Sequence, residues 1–358
     1  MADFSEVFED VTKLGHKIPK ENYLDEGKYP IIDQGQTYIA GYSNNSEGLY
    51  SDVPAIIFGD HTRIIKYVDM PCFLGADGVK LLHVKDKDND VKYLYYALCN
   101  ARIPNTGYNR HFKWLKEITI PLPPLPEQRR IAAVLDKVSK LIALRKRQLD
   151  LLDEMVKARF VEMFGDISES EFCSIYDVCN LITDGTHNPP RFVENGIPFL
   201  LVSNIRENRI TYDTQKFITP ETYDQLMKRT PIEKGDILLS TVGSYGHPAI
   251  VISDKKFSFQ RHIALLKPNQ DKINSVFFHS AILSNEVQRQ IGSLVLGVAQ
   301  KTLNLSAIKT LRIPLPHISD QSQFADFVQQ VDKSKATVQQ GLDRLILLKS
   351  ALMQEYFG

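Results

Sequence analysis

Two stretches of the chain place apolar residues at alternating steps of three and four. In the first the row is Ile131, Leu135, Val138, Ile142, Leu149, Leu152, Val156 and Met163, broken only by Arg145 and Arg159. In the second it is Phe324, Val328, Val331, Val338, Leu342, Leu345, Leu352 and Tyr356, broken by Lys335 and Lys349. That spacing predicts two long helices, each with an apolar seam about five heptads long. Pro126 suits a first helical turn, no Gly or Pro follows before Gly165, and Gly165 is a good helix stop. Gly341 interrupts the second helix at a cost of roughly 1 kcal/mol relative to Ala. Outside these rows the pattern changes to short β-prone runs at 55–58, 64–68, 198–202, 236–241 and 249–252, separated by Gly, Asn and Asp turns. Helical stretches are expected at 91–100 and 275–291. The fold class is therefore α+β, with each globular region preceding a long helix.

The two rows are copies. Ile120-Pro121-Leu122-Pro123 returns as Ile313-Pro314-Leu315-Pro316, an offset of 193 residues. The same offset carries Gln128 to Gln321, Ala132 to Ala325, Leu149-Asp150 to Leu342-Asp343 and Phe164-Gly165 to Phe357-Gly358. Two long copies indicate a duplicated module rather than a solenoid, which needs three or more short repeats. Beyond the helices the halves agree weakly, as in Glu9-Asp10-Val11 against Tyr176-Asp177-Val178.

Composition narrows the function classes. At 358 residues with 43% hydrophobic and 24% charged residues, the chain is ordinary globular material of two or three folding units. No apolar run is long enough to cross a bilayer and the first ten residues are not a secretory signal, so a cytoplasmic protein without membrane contact is expected. The four cysteines form no C-x-x-C pair, and the nine histidines never pair with Cys or acids at metal-ligand spacing. Basic and acidic residues balance at 43 each, which disfavours an autonomous nucleic-acid binder. Only the stretch 127–163 is clearly basic, with nine bases against six acids.

The order of variable region, shared helix, variable region, shared helix resembles the specificity (S) subunit of type I restriction–modification enzymes. The resemblance covers essentially the whole chain. It rests on IPLPPLPEQRR at 120–130, IPLPHISDQ at 313–321 and the Phe-Gly helix ends. KGDILLSTVGSYG at 234–246, FSFQRHIALLKP at 257–268 and GADGVKLL at 75–82 add to it. It implies two target recognition domains, 1–125 and 166–318, each reading half of a bipartite DNA site. It also implies spacer helices 126–165 and 319–358 that pair antiparallel, giving a pseudo-two-fold within one chain. Implied partners are double-stranded DNA, two methyltransferase (M) subunits and restriction/translocase (R) subunits. S-adenosylmethionine, ATP and Mg would sit on those partners and no cofactor on this chain. The second helix start departs from the first, with Ser319-Asp320-Gln321-Ser322-Gln323 in place of Pro126-Glu127-Gln128-Arg129-Arg130, so its docking surface is less basic.

Catalytic motifs are weighed against this. Asn188-Pro189-Pro190-Arg191-Phe192 approximates the adenine pocket of amino-methyltransferases, but Arg191 intrudes and no F-x-G-x-G is present. Asp236 with Asp254-Lys255-Lys256 has the spacing of a nuclease site, yet both segments also read as turns. There is no G-x-x-x-x-G-K-[ST] for ATP. Arg suits guanine, and Asn or Gln suits adenine, in the major groove. Polar loops carrying such side chains are therefore the candidate DNA contacts. They are His61 and Arg63, then Asn109, Arg110 and Lys113. In the second region they are Thr186, His187 and Arg191, Asn204 and Arg206, Ser244 and Tyr245, Arg261, and Gln300 with Lys301. The expected role is a non-catalytic DNA-recognition subunit. A self-contained methyltransferase using 188–190 and a coiled-coil linker without DNA contact are the alternatives.

Overall fold

The computed structural model describes residues 1–75, 78–297 and 301–358. Both apolar rows form single helices of 40 residues, Leu125–Phe164 and Ile318–Phe357. The first begins ahead of Pro126, which occupies the opening turn, where its missing N–H costs nothing. Of the seam positions, interrupting residues included, all but Arg145 are buried or half-buried. By packing, the chain forms two units, Met1–Arg147 with Gln339–Gly358, and Gln148–Val338. Each unit thus contains the start of one long helix and the end of the other.

The first unit is built on a four-stranded antiparallel sheet ordered Phe8–Asp10, Val79–Val84, Ala55–Gly59, Ile65–Val68. A second sheet runs Lys17–Ile18, Phe73–Gly75, Tyr29–Ile32, Gly41–Ser43, with the first three strands parallel. Ala2–Asp3 pairs with Thr119–Ile120, the strand that leads into the long helix. Helix Val91–Cys99, capped by the Asp90 carboxylate accepting from the Tyr93 N–H at 2.8 Å, fills the space between sheet and long helix. Here Arg130 lies over the Tyr356 ring at 5.7 Å and Tyr93 packs on Phe357 at 5.2 Å.

The second unit repeats this plan. Its antiparallel sheet is ordered Cys179–Asp184, Ile263–Pro268, Ile237–Ser240, Pro248–Ile250. A smaller sheet places Ile197–Leu200 antiparallel to Phe217–Ile218 and parallel to Ser258–Phe259. Phe172–Ser174 pairs with Arg312–Pro314, matching Cys173 to Ile313 as Ala2 matches Ile120. This pairing sets the correspondence between the halves. The turn Phe4–Val7 answers Ile175–Val178, so the weak match expected at 9–11 falls four residues earlier. Both turns are boxed alike: Glu6 accepts the Asp3 N–H at 2.8 Å and Asp177 accepts the Ser174 N–H at 3.1 Å.

The helix expected at 275–291 is two helices, Ser275–Leu283 and Asn285–Leu294. Ser284 stands extended between them (φ −61°, ψ 149°), and its hydroxyl accepts from the Val287 N–H at 3.4 Å. A serine followed by Asn-Glu is a cap as readily as a helical residue, and here capping wins. At the base of this unit Phe160, Phe164, Phe277 and Phe324 form one aromatic cluster with centroid separations of 5.0–6.5 Å. Lys335 pairs with Asp153 between the two long helices. No helix among the described residues is long and apolar enough to cross a membrane.

Candidate nucleic-acid interface

In the first unit, loops that are far apart in sequence meet at one end of the antiparallel sheet. Asp60 follows strand Ala55–Gly59 and is 4% exposed. Its carboxylate accepts the Phe112 N–H at 2.8 Å, and its carbonyl accepts both the His111 N–H at 2.8 Å and the His111 Nδ1–H at 2.9 Å. The Asp60 N–H donates to the Gly78 carbonyl at 2.7 Å. These bonds lock the 59–64 hairpin to the 102–111 loop, and they bring predicted contacts together. His61 donates from Nδ1 to the Asn109 carbonyl at 3.2 Å. Arg63, in the left-handed region at φ 62°, donates from Nη1 to the Ile103 carbonyl at 3.3 Å. Arg63 therefore braces the loop pair, while Asn109, Arg110 and Lys113 stay exposed. Lys113 lies over the Trp114 ring at 4.1 Å.

Gly78 is required at this crossing. Its φ is +79°, and a Cβ there would stand 2.5 Å from Gln34 Nε2 and 2.7 Å from the His61 ring. Two further residues complete the surface and escape the sequence reading. Tyr108 stacks on His61 at 4.7 Å and 8° while remaining 88% exposed, and Gln34 Oε1 accepts the His61 N–H at 3.1 Å. The signal for Tyr108 was an aromatic at the tip of an Asn-Thr-Gly turn. Gln34 lies 27 residues from its partner and gave none.

The second unit uses the same end of the same sheet. Thr241 N–H donates to the His262 carbonyl at 3.0 Å, Gly243 N–H to the Lys301 carbonyl at 3.2 Å, and Arg261 N–H to the Thr186 carbonyl at 3.0 Å. Thr186, Ser244, Tyr245, Arg261 and Lys301 are thus gathered at one place, with Ser244, Arg261 and Lys301 exposed and Tyr245 packed partly on the core. Gln300 lies outside the described residues. His187 donates to Asp184 Oδ2 at 2.7 Å and Arg229 pairs with the other oxygen of that carboxylate, so the start of the 184–192 loop is held by both side chains. Arg191 on the same loop is exposed. Burial, reinforced by Arg261, lowers the His262 pKa, and the neutral ring accepts the Arg261 Nε–H at 3.4 Å.

Asn204 takes a different position from the one expected. It is 4% exposed; its Oδ1 accepts the Leu201 N–H at 2.9 Å and its Nδ2 donates to the Asp213 carbonyl at 2.8 Å. The amide is committed to holding the 201–213 loop, and the neighbouring Arg206 is the exposed group there, donating to the Ser203 carbonyl at 2.8 Å.

The motifs of catalytic type are also placed. Phe192 packs edge-on against Phe199 at 5.4 Å beneath Lys216, so its ring is part of a core cluster. Asp236 is buried, accepts the Glu233 N–H at 2.8 Å and pairs with Lys267 at 3.2 Å. Burial raises its pKa in spite of Lys267. Lys255 and Lys256 turn onto the rings of Tyr212 and Tyr223 at 4.3 and 5.5 Å. Among the described residues no group of three or more His, Cys, Asp or Glu converges as a metal site would.

Comparison with known proteins gives one answer. The family model described as type I restriction modification DNA specificity domain matches residues 3–154 and 167–346. The EcoR124I/EcoR124II specificity subunit of Escherichia coli is 26% identical, with 98% of this chain and 90% of that protein aligned. The MjaVIII specificity subunit of Methanocaldococcus jannaschii is also 26% identical, over 73% of this chain and 69% of that protein. In fold, the chain resembles the type I restriction–modification system S subunit from M. genitalium. The TM-score is 0.61 at 18% identity, covering 99% of this chain and 95% of that one.

Proposed function

The chain belongs to the type I restriction–modification DNA specificity family, as a specificity subunit, and on that premise we propose that it reads an asymmetric, bipartite site in double-stranded DNA. One observation carries this reading: both units build a polar, loop-made surface at the same end of the same sheet, but from different side chains. The first surface offers Asn109, Arg110 and Lys113 beside His61 and Tyr108. The second offers Thr186, His187, Arg191, Ser244, Arg261 and Lys301, with Arg206 on the adjoining loop. Equal scaffolds with unequal side chains are what a reader of two different half-sites needs, since phosphate contacts position and base contacts specify.

In this reading the chain is non-catalytic and cytoplasmic. It directs adenine methylation by two methyltransferase subunits and ATP-dependent restriction by restriction subunits. S-adenosylmethionine, ATP and Mg belong to those partners. The recognition domains are 1–125 and 166–318, and the long helices between them pair antiparallel about an approximate two-fold. Forty residues at ~1.5 Å rise make each helix about 60 Å long, so the pair serves as the spacer that sets the unread gap. The balanced net charge is consistent with partners supplying much of the phosphate neutralisation.

The test is single-molecule methylome sequencing of a host expressing this chain with its partners, before and after residues 167–312 are exchanged for those of a related chain. A change in one half-site only is expected, and a change in both would refute independent reading. Inserting four residues after Leu144 should lengthen the gap by about one or two base pairs with both half-sites unchanged.

A further inference from the structure

Among the described residues of the two long helices, the buried polar side chains are Gln128 and Gln321, at 2% and 0% exposure. They are the same position in the 193-residue repeat. A glutamine amide has an acceptor oxygen and two N–H donors, and both copies bond through the oxygen and through both N–H groups. Gln128 Oε1 accepts the Asp90 N–H at 2.9 Å, while Nε2 donates to Asn89 Oδ1 and to the Pro123 carbonyl, each at 2.9 Å. Gln321 Oε1 accepts the Asn274 N–H at 2.9 Å, while Nε2 donates to the Pro316 carbonyl at 2.8 Å and the Lys272 carbonyl at 3.3 Å. Asp90 and Asn274 are the residues that cap the globular helices Val91–Cys99 and Ser275–Leu283. One planar group therefore ties three pieces in each unit: the long helix, its proline lead-in and the cap of the globular helix.

We infer that Gln128 and Gln321 are positioning residues that fix the angle between each recognition domain and its long helix, and so hold the gap to a single length. This rests on the proposed bipartite reading. Both junctions also have apolar contacts, Tyr93 on Phe357 and Phe277 on Phe164, and the first adds polar bonds to Asp136 from Tyr96 at 2.7 Å and Lys92 at 3.5 Å. Apolar contacts hold the parts together but tolerate sliding, whereas three bonds to one planar amide define an orientation, and the glutamine is the polar tie that recurs in both units. The leverage is large. A domain of this size has a radius of gyration of ~14 Å, so its far surface lies about 36 Å from a junction at its edge. A tilt of about 6° then moves that surface by roughly 3.8 Å, close to the rise of one base pair.

The experiment is methylome sequencing of cells carrying the full complex with Gln128→Met, which keeps length and apolar volume but removes all three bonds. Gln321→Met is the matched variant in the other unit. Expected are unchanged half-sites and a roughly tenfold rise in the share of sites methylated at gaps one base pair longer or shorter. Reduced methylation confined to the original gap in both variants would show a purely structural role and overturn the inference. Where a methionine variant does not assemble, Asn89→Ala removes one acceptor at a partly exposed position and must give a smaller broadening of the same kind; an unbroadened gap there likewise refutes it. If the unmodified complex shows no two-part site, the proposed function itself fails, an outcome separable from the others.

Discussion

In the first unit buried side chains join the backbone in closing the end of the sheet, whereas in the second the closing bonds run between backbone groups. Asp60 and His111 are buried and spend carboxylate and ring on holding two loops together. The corresponding crossings in the second unit run N–H to carbonyl, from Thr241 to His262 and from Gly243 to Lys301. At the junctions with the long helices the relation is reversed: the same glutamine, the same proline carbonyl and the same capped helix recur. The duplicated module has thus kept its hinge chemistry and replaced its tips. Backbone closure leaves side chains free to change, so the second surface should tolerate substitution better than the first.

The largest expected effect probes how equal the junctions are in energy. Phe164 is 4% exposed among three aromatic neighbours, whereas Phe357 is partly exposed and packs on Tyr93. Phe164→Ala should cost about 3–5 kcal/mol, and Phe357→Ala at least 1 kcal/mol less. Chemical denaturation of the two variants checks the order, and equal losses would mean the junctions match in energy as well as plan. Next, Asp60→Ala strands the Phe112 N–H and should cost about 1–3 kcal/mol, with Ser244→Ala near zero by the same measurement. Third, Arg110→Ala and Arg261→Ala should each cost about 1–3 kcal/mol in binding by the assembled complex, if they contact bases. Each should relax only its own half-site in a methylation assay; relaxation of both by either would merge the two surfaces. The smallest effect is Gly341→Ala. A Cβ there finds only Arg145 Nε, at 3.9 Å, so thermal unfolding should rise by an amount equivalent to up to ~1 kcal/mol.

Much of this was legible in the chain itself. The offset of 193 residues and the three-four apolar rows located both helices, because those signals are local or repeat along the sequence. Gln128 and Gln321 were visible as a matched pair, but their role was not, since their partners lie 38 and 47 residues away at caps no local pattern marks. Asn204 looked like a loop donor free to face outward; only the fold shows that its amide is turned inward to Leu201 and Asp213. The meeting of His61 with Asn109 spans 48 residues and depends on the Asp60 crossing. Ser284 was read through because neither Gly nor Pro announces the break.

The composition of the units also governs the order in which they can be completed during synthesis. The first globular core is finished by Leu352, Met353, Tyr356 and Phe357, in a segment separated from Arg147 by the 191 residues from Gln148 to Val338. At about 5–20 residues per second a ribosome needs roughly 10–40 s to cross that interval. For that time the apolar rim around Tyr93 and Leu135 faces solvent without its covering helix. The second unit is contiguous from Gln148 to Val338 and has no such delay. The late arrival of its covering helix is therefore the step that completes the first core.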